Sequence, residues 1–114
     1  MHTDPVTEFT ARSDLVLVFE RDGFVYAYQS VADAAQSIES IDVMDGRYLG
    51  AFSNSGEVID LEGDPGELFA TLTPTGNQAQ TKLAELIRQS RGPQDLAGDP
   101  HAFALAVLAH DGAH

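Results

Sequence analysis

The 114-residue chain predicts an α+β domain: an antiparallel sheet of four to five strands with helices packed on one face, in the order ββαβββαα. Two pairs of short β-rich segments, each joined by a glycine-containing turn, predict two hairpins, Asp14–Glu20 with Phe24–Tyr28 and Tyr48–Phe52 with Val58–Leu61. After residue 77 the apolar residues recur at helical spacing in two further segments, which predict the closing helices.

Taken in order, residues 1–13 mix Pro5, threonines and charged side chains without periodicity. They read as a loose tail, so the domain spans residues 14–114. DLVLVFE (Asp14–Glu20) holds five consecutive apolar residues, which suits a central strand covered on both faces. Arg21-Asp22-Gly23 supplies a tight turn, after which Phe24, Tyr26 and Tyr28 alternate against Val25 and Ala27. Ser30, with Asp33 three residues on, caps a short helix whose inner face is Val31, Ala34, Ala35 and Ile38. Ile41–Met44 reads as extended and Asp45-Gly46 as a turn. In the second hairpin Tyr48, Gly50 and Phe52 point one way and Leu49 and Ala51 the other, and Asn54-Ser55-Gly56 returns the chain. Two threonines and an alternating pattern favour a strand over Glu67–Thr73 above a helix starting at Asp64-Pro65. Asn77 and Gln80 open a helix with Ala79, Leu83, Leu86 and Ile87 on one side, and Gly92-Pro93 stops it. Asp99 as N-cap and Pro100 as first residue open a last helix that is apolar nearly all round. Such a helix is either sunk into the core or half of an oligomer interface.

Charge is the strongest global feature. The net charge is -12, and between Asp22 and Thr81 ten acids face a single base, Arg47. That field repels nucleic acid and anionic lipid and attracts a basic protein. The chain has no cysteine, which excludes disulfides, thiolate catalysis and cysteine-bound zinc. The first twelve residues lack the pattern of a signal peptide, and no apolar run approaches the roughly 18 residues of a membrane span. A cytoplasmic address is expected.

No group of residues makes a catalytic pattern. His2 and His114 lie at the chain ends, and His101 and His110 are nine apart on one helix, roughly on opposite sides, so no metal site is expected. Asp60 and Glu62 share one strand face, but a convex acidic strand lacks the facing pair of carboxyls across a cleft that glycoside hydrolysis requires. The glycines suit turns rather than a phosphate loop, and no cofactor is expected. Phe24, Tyr26, Tyr28, Tyr48 and Phe52 form either a cross-strand core or, for the tyrosines, binding anchors beside the acids.

The succession DLVLVFE, RDG, FVYAYQSVADAAQSIESIDVMDGRYLGAFSNSGEVIDLE, then LTPTG and a helix, resembles small acidic bacterial immunity proteins encoded beside secreted polymorphic toxins. The resemblance covers about residues 14–90 and implies a single-domain protein that neutralises a toxin by binding it, with no catalytic residues to carry over. The expected function is a non-catalytic acidic binding protein. Its expected contact residues are Asp42, Asp45, Tyr48, Glu57, Asp60, Glu62 and Asp64, facing a basic partner. Two alternatives come from other classes: a homo-oligomer, for instance a homodimer joined through Phe103, Leu105, Val107 and Leu108, and a small-molecule enzyme with a pocket between sheet and helices.

Overall fold

The computed structural model describes residues 15–110. The tail expected over residues 1–13, His2 and His114 lie outside the described residues. Five strands form one antiparallel sheet: β1 (Val16–Glu20), β2 (Val25–Tyr28), β3 (Tyr48–Ser53), β4 (Glu57–Glu62) and β5 (Thr71–Gln78), in the order β2-β1-β3-β4-β5. Between β2 and β3 lie two one-turn helices, α1 (Val31–Ala35) and α2 (Ser40–Met44). After β5 come α3 (Gln80–Gln89), a 3₁₀ turn (Gln94–Leu96) and α4 (Pro100–His110). The α+β class and the antiparallel sheet stand as expected.

The helices do not keep to one face. β1 is buried along its whole length, and its alternating residues feed two separate cores. Leu15, Leu17 and Phe19 pack with Val25, Ala27 and Phe52 under α3 and α4, through Leu83, Leu86, Ile87, Phe103, Ala104 and Val107. Val16 and Val18 pack on the opposite side with Ala51, Ile59, Leu72, Ala34 and Ile38. A central strand apolar on both sides needs cover on both sides, so the expected two-layer arrangement becomes three layers. α4 lies partly in this core: Phe103 is 0% exposed and Leu105 48%.

Local chemistry explains the change at α2. Ser30 caps α1 as expected, its Oγ accepting from the Asp33 N–H at 3.0 Å, but the helix stops at Ala35. Ile41–Met44, expected to be extended, belongs to α2. Asp45-Gly46 is not a strand turn but the end of that helix: Gly46 has φ of +75°, its N–H donates to the Val43 carbonyl, and the Arg47 N–H donates to the Asp42 carbonyl. These are the two crossed bonds of a Schellman cap, which needs a residue that tolerates positive φ.

The last strand also sits later than the expected Glu67–Thr73. Asp64 folds residues 64–67 into a turn, its carboxylate accepting from the Gly66 N–H at 2.8 Å, and β5 begins at Thr71. It runs through Pro74 because β5 is an edge strand, where a missing N–H costs no ladder bond.

Candidate functional site

A β-bulge at the start of β3 decides which side chains meet. Phe19 pairs with Gly50 but Glu20 pairs with Tyr48, so Leu49 is an extra residue and Tyr48 turns onto the α1–α2 face. Tyr26 and Tyr28, opposite Val18 and Val16, share that face. Phe52 goes to the other core, where its ring meets Phe19 edge-on, with centroids 6.1 Å apart and planes at 75°. Phe24 is exposed, with the Arg91 guanidinium 4.9 Å above its ring centroid. The aromatic residues are thus divided between the faces of the sheet.

At the Tyr48 end of this face sits a small charged network. Glu20 is buried, and the Arg47 Nε lies 3.3 Å from its carboxylate; the Arg47 Nη1 lies 3.5 Å from Asp42. Burial pushes the Glu20 carboxyl above the usual range, against the pull of Arg47 and of the Tyr26 hydroxyl that donates to it. Loss of water around Tyr48, reinforced by the nearby Asp42 carboxylate, raises its phenol to about 12. Tyr26 is raised too, by burial first and by Glu20 second. The network joins β1, β2, β3 and α2 at one corner. Both ion pairs found among the described residues belong to Arg47, which leaves this base engaged on two sides.

The acids expected to form one binding face occupy two sides of the sheet. Asp60 and Glu62 lie on β4 on the same side as Val58, opposite Thr73 and Thr71 of β5, and all four of these side chains are exposed. α3 and α4 cover β1, β2 and β3 on that side but leave this part of the sheet open. Residues two apart on a strand are about 7 Å apart, so the two carboxylates make one negative strip. Glu57, with Ile59 and Leu61, points the other way; its Oε2 accepts from the Gly76 N–H at 2.8 Å and fixes the irregular end of β5. Asp42 is held by Arg47, Asp45 is exposed at the end of α2, and Asp64 is exposed while shaping its own turn. Tyr48 is half-buried and packs on the second core.

An open cleft of about 370 Å³ lies at the end of β4, lined by Glu62, Gly63, Asp64, Pro65 and Thr71. Gly63 is also where α2 comes closest to the sheet: a Cβ there would lie 2.5 Å from the Ser40 carbonyl oxygen and 2.8 Å from Met44 Cγ. Only glycine permits that approach.

The histidine that the structure describes in detail, His101, is exposed at the start of α4, and its Nδ1 is hydrogen bonded to the side-chain amide of buried Asn54. It ties the β3–β4 turn to the helix. Sequence reading did not anticipate this contact, because residues 54 and 101 are joined only by the folded topology. A groove of about 580 Å³ lies between β2 and α4, lined by Phe24, Arg91, Pro93 and Ala106 among others. Among the described residues no three His, Asp or Glu side chains are grouped so as to hold a metal ion, and no helix is long and apolar enough to cross a membrane. Of the four residues expected at a homodimer interface, Phe103 and Val107 are spent in the core, Leu108 is half-buried and Leu105 alone is exposed. No protein-family model, curated protein or solved structure matches this chain.

Proposed function

We propose that the chain is a non-catalytic, acidic binding protein that acts on a basic protein partner in the cytoplasm, in the manner of an immunity protein neutralising a toxin. The observation that carries this reading is the exposed strip of Asp60 and Glu62 on β4, in a segment with no lysine or arginine between Arg47 and Lys82. Carboxylates without a local base leave their field directed outward. Such a field speeds encounter with a cationic surface, toward about 10⁸ per molar per second at low salt, and fades beyond a Debye length of roughly 8 Å at physiological salt.

The immunity assignment is supported by the resemblance over residues 14–90 together with this charge. The test is affinity capture from the lysate of the source cell at low salt, with the wild type and with Asp60→Lys/Glu62→Lys as baits. A basic protein retained by the first and lost by the second supports the reading. Identical sets of retained proteins, or none, would count against it.

A further inference from the structure

We infer that the corner where α2 meets the segment between β4 and β5 is the docking surface, and that it takes a basic protein segment presenting an apolar side chain beside its lysines or arginines. The inference deepens the proposed function and rests on the chain being a binding protein. Among the described residues seven large apolar side chains are exposed, and four of them, Ile41 (61%), Met44 (53%), Leu68 (64%) and Phe69 (44%), fall on two short segments. Those segments are bound to each other: the Ser40 N–H donates to the Leu68 carbonyl at 2.9 Å, and Glu39 bridges Phe69. Ile41 and Met44, three apart in α2, share a helix face. Single exposed apolar residues are ordinary, whereas four on two segments bonded to each other mark an interaction site.

The surroundings of the patch select the occupant. Asp45 follows Met44, Glu67 precedes Leu68, and the cleft beyond Gly63 carries Glu62 and Asp64. Two bases stand at the end of α2: Arg47, held by Glu20 and Asp42, and Arg21, whose Nε donates to the Gly46 carbonyl at 2.9 Å. A second copy of this chain would bring acids against acids, and a nucleic acid or an anionic membrane would meet the same repulsion. A cationic segment meets the opposite sign along the edge formed by Glu67 and the Glu62–Asp64 cleft: its apolar residue covers Ile41 and Leu68 while a lysine or arginine enters that cleft, away from Arg21. The surface is also pre-organised. The Schellman cap fixes the end of α2, and the close approach at Gly63 seats the helix on β4, so little order remains to be imposed on binding.

The test uses two synthetic helical peptides of equal length and equal lysine content, one with leucines along one face and the other with serines there. Each is titrated into isotope-labelled protein and followed by NMR at the Ile, Leu and Met methyls. The leucine peptide is expected to shift Ile41, Met44 and Leu68 in a saturable manner and to bind at least about tenfold more tightly than the serine peptide, the effect of one well-buried apolar anchor. Ile41→Ser/Leu68→Ser changes two exposed residues, so its spectrum elsewhere should be unchanged while the leucine peptide loses that advantage. Equal binding of both peptides without shifts at Ile41, Met44 and Leu68 overturns this surface and leaves the acidic-binding reading standing. Failure of both peptides to bind overturns both. Concentration-dependent shifts of the patch without peptide would show that a second copy covers it and would overturn the choice of occupant.

Discussion

Replacing Phe103 by Ala, beside Leu105→Ala on the same helix, tests whether α4 is part of the core or half of an interface. Phe103 is fully enclosed, and its Cζ and Cε1 lie 2.8 and 2.9 Å from where a Cβ on Gly92 would stand, with Val25 adjacent, so the ring rests directly on backbone. Backbone seated under a ring cannot collapse far into the space left when the ring is removed. The cost is therefore placed in the usual range for a buried phenylalanine, about 3–5 kcal/mol. That is a large share of the about 5–15 kcal/mol that holds a domain together. At about 4–5 °C per kcal/mol for a domain of this size it lowers Tm by about 12–25 °C. Leu105 is about half exposed, so truncating it removes about 1 kcal/mol or less. Urea unfolding and thermal melts of both variants at two protein concentrations give the comparison. A smaller loss for Phe103→Ala than for Leu105→Ala, or a wild-type Tm that rises with protein concentration, would refute the core assignment and restore the homodimer alternative.

Three further outcomes follow from the contacts described. Gly63→Ala drives a Cβ into the Ser40 carbonyl and Met44, so it should lift α2 from β4 and cost about 1–3 kcal/mol, read as a lower urea midpoint with the slope unchanged. Arg47→Met removes the base facing buried Glu20. The folded carboxyl is already raised above the unfolded 4.5, so the stability tied to it is fully present below 4.5 and lost as pH rises through the folded value. Losing Arg47 raises that value further, so the variant's deficit should be largest near pH 7 and should vanish in urea titrations at pH 4. Tyr48, near 12 when folded and 10 when unfolded, contributes stability that is present below pH 10 and lost as pH rises through 12. Tyr48→Phe should flatten the alkaline decline in Tm and remove the latest step of the ultraviolet phenolate titration.

The elements legible in the sequence were those fixed by local chemistry. The alternation around Asp22-Gly23, the Ser30 cap and the Asp99-Pro100 start each act within a few residues, and each is found where the pattern put it. α2 was missed because Ile41–Met44 carries β-branched residues and Asp-Gly serves a hairpin turn and a helix cap equally well. The distinguishing feature is the pair of crossed bonds around Gly46, which depend on where Arg47 goes next. Division of the helices between two faces was written in the unbroken apolar run of β1, yet it could be recognised only once both neighbouring strands were placed.

For the candidate site, alternation correctly put Asp60 and Glu62 together. It could not join them to Asp64 and the apolar corner, since that junction is made by Gly63 lying against α2, across about twenty residues of chain. The bulge at Leu49, which carries Tyr48 to the opposite face from Phe52, likewise breaks the period-two rule that assigned both to one side.

The central claim is that the exposed acids of β4 and the apolar corner of α2, which meet at the end of β4 around Gly63, are displayed for a basic protein. It is tested most directly by association and dissociation rates of the captured partner at low and physiological salt, for the wild type, Asp60→Lys/Glu62→Lys and Ile41→Ser/Leu68→Ser. The account predicts that the charge variant associates more slowly and loses its salt dependence, while the apolar variant associates normally and dissociates at least about tenfold faster. Rates identical to the wild type for both variants at both salts would contradict it.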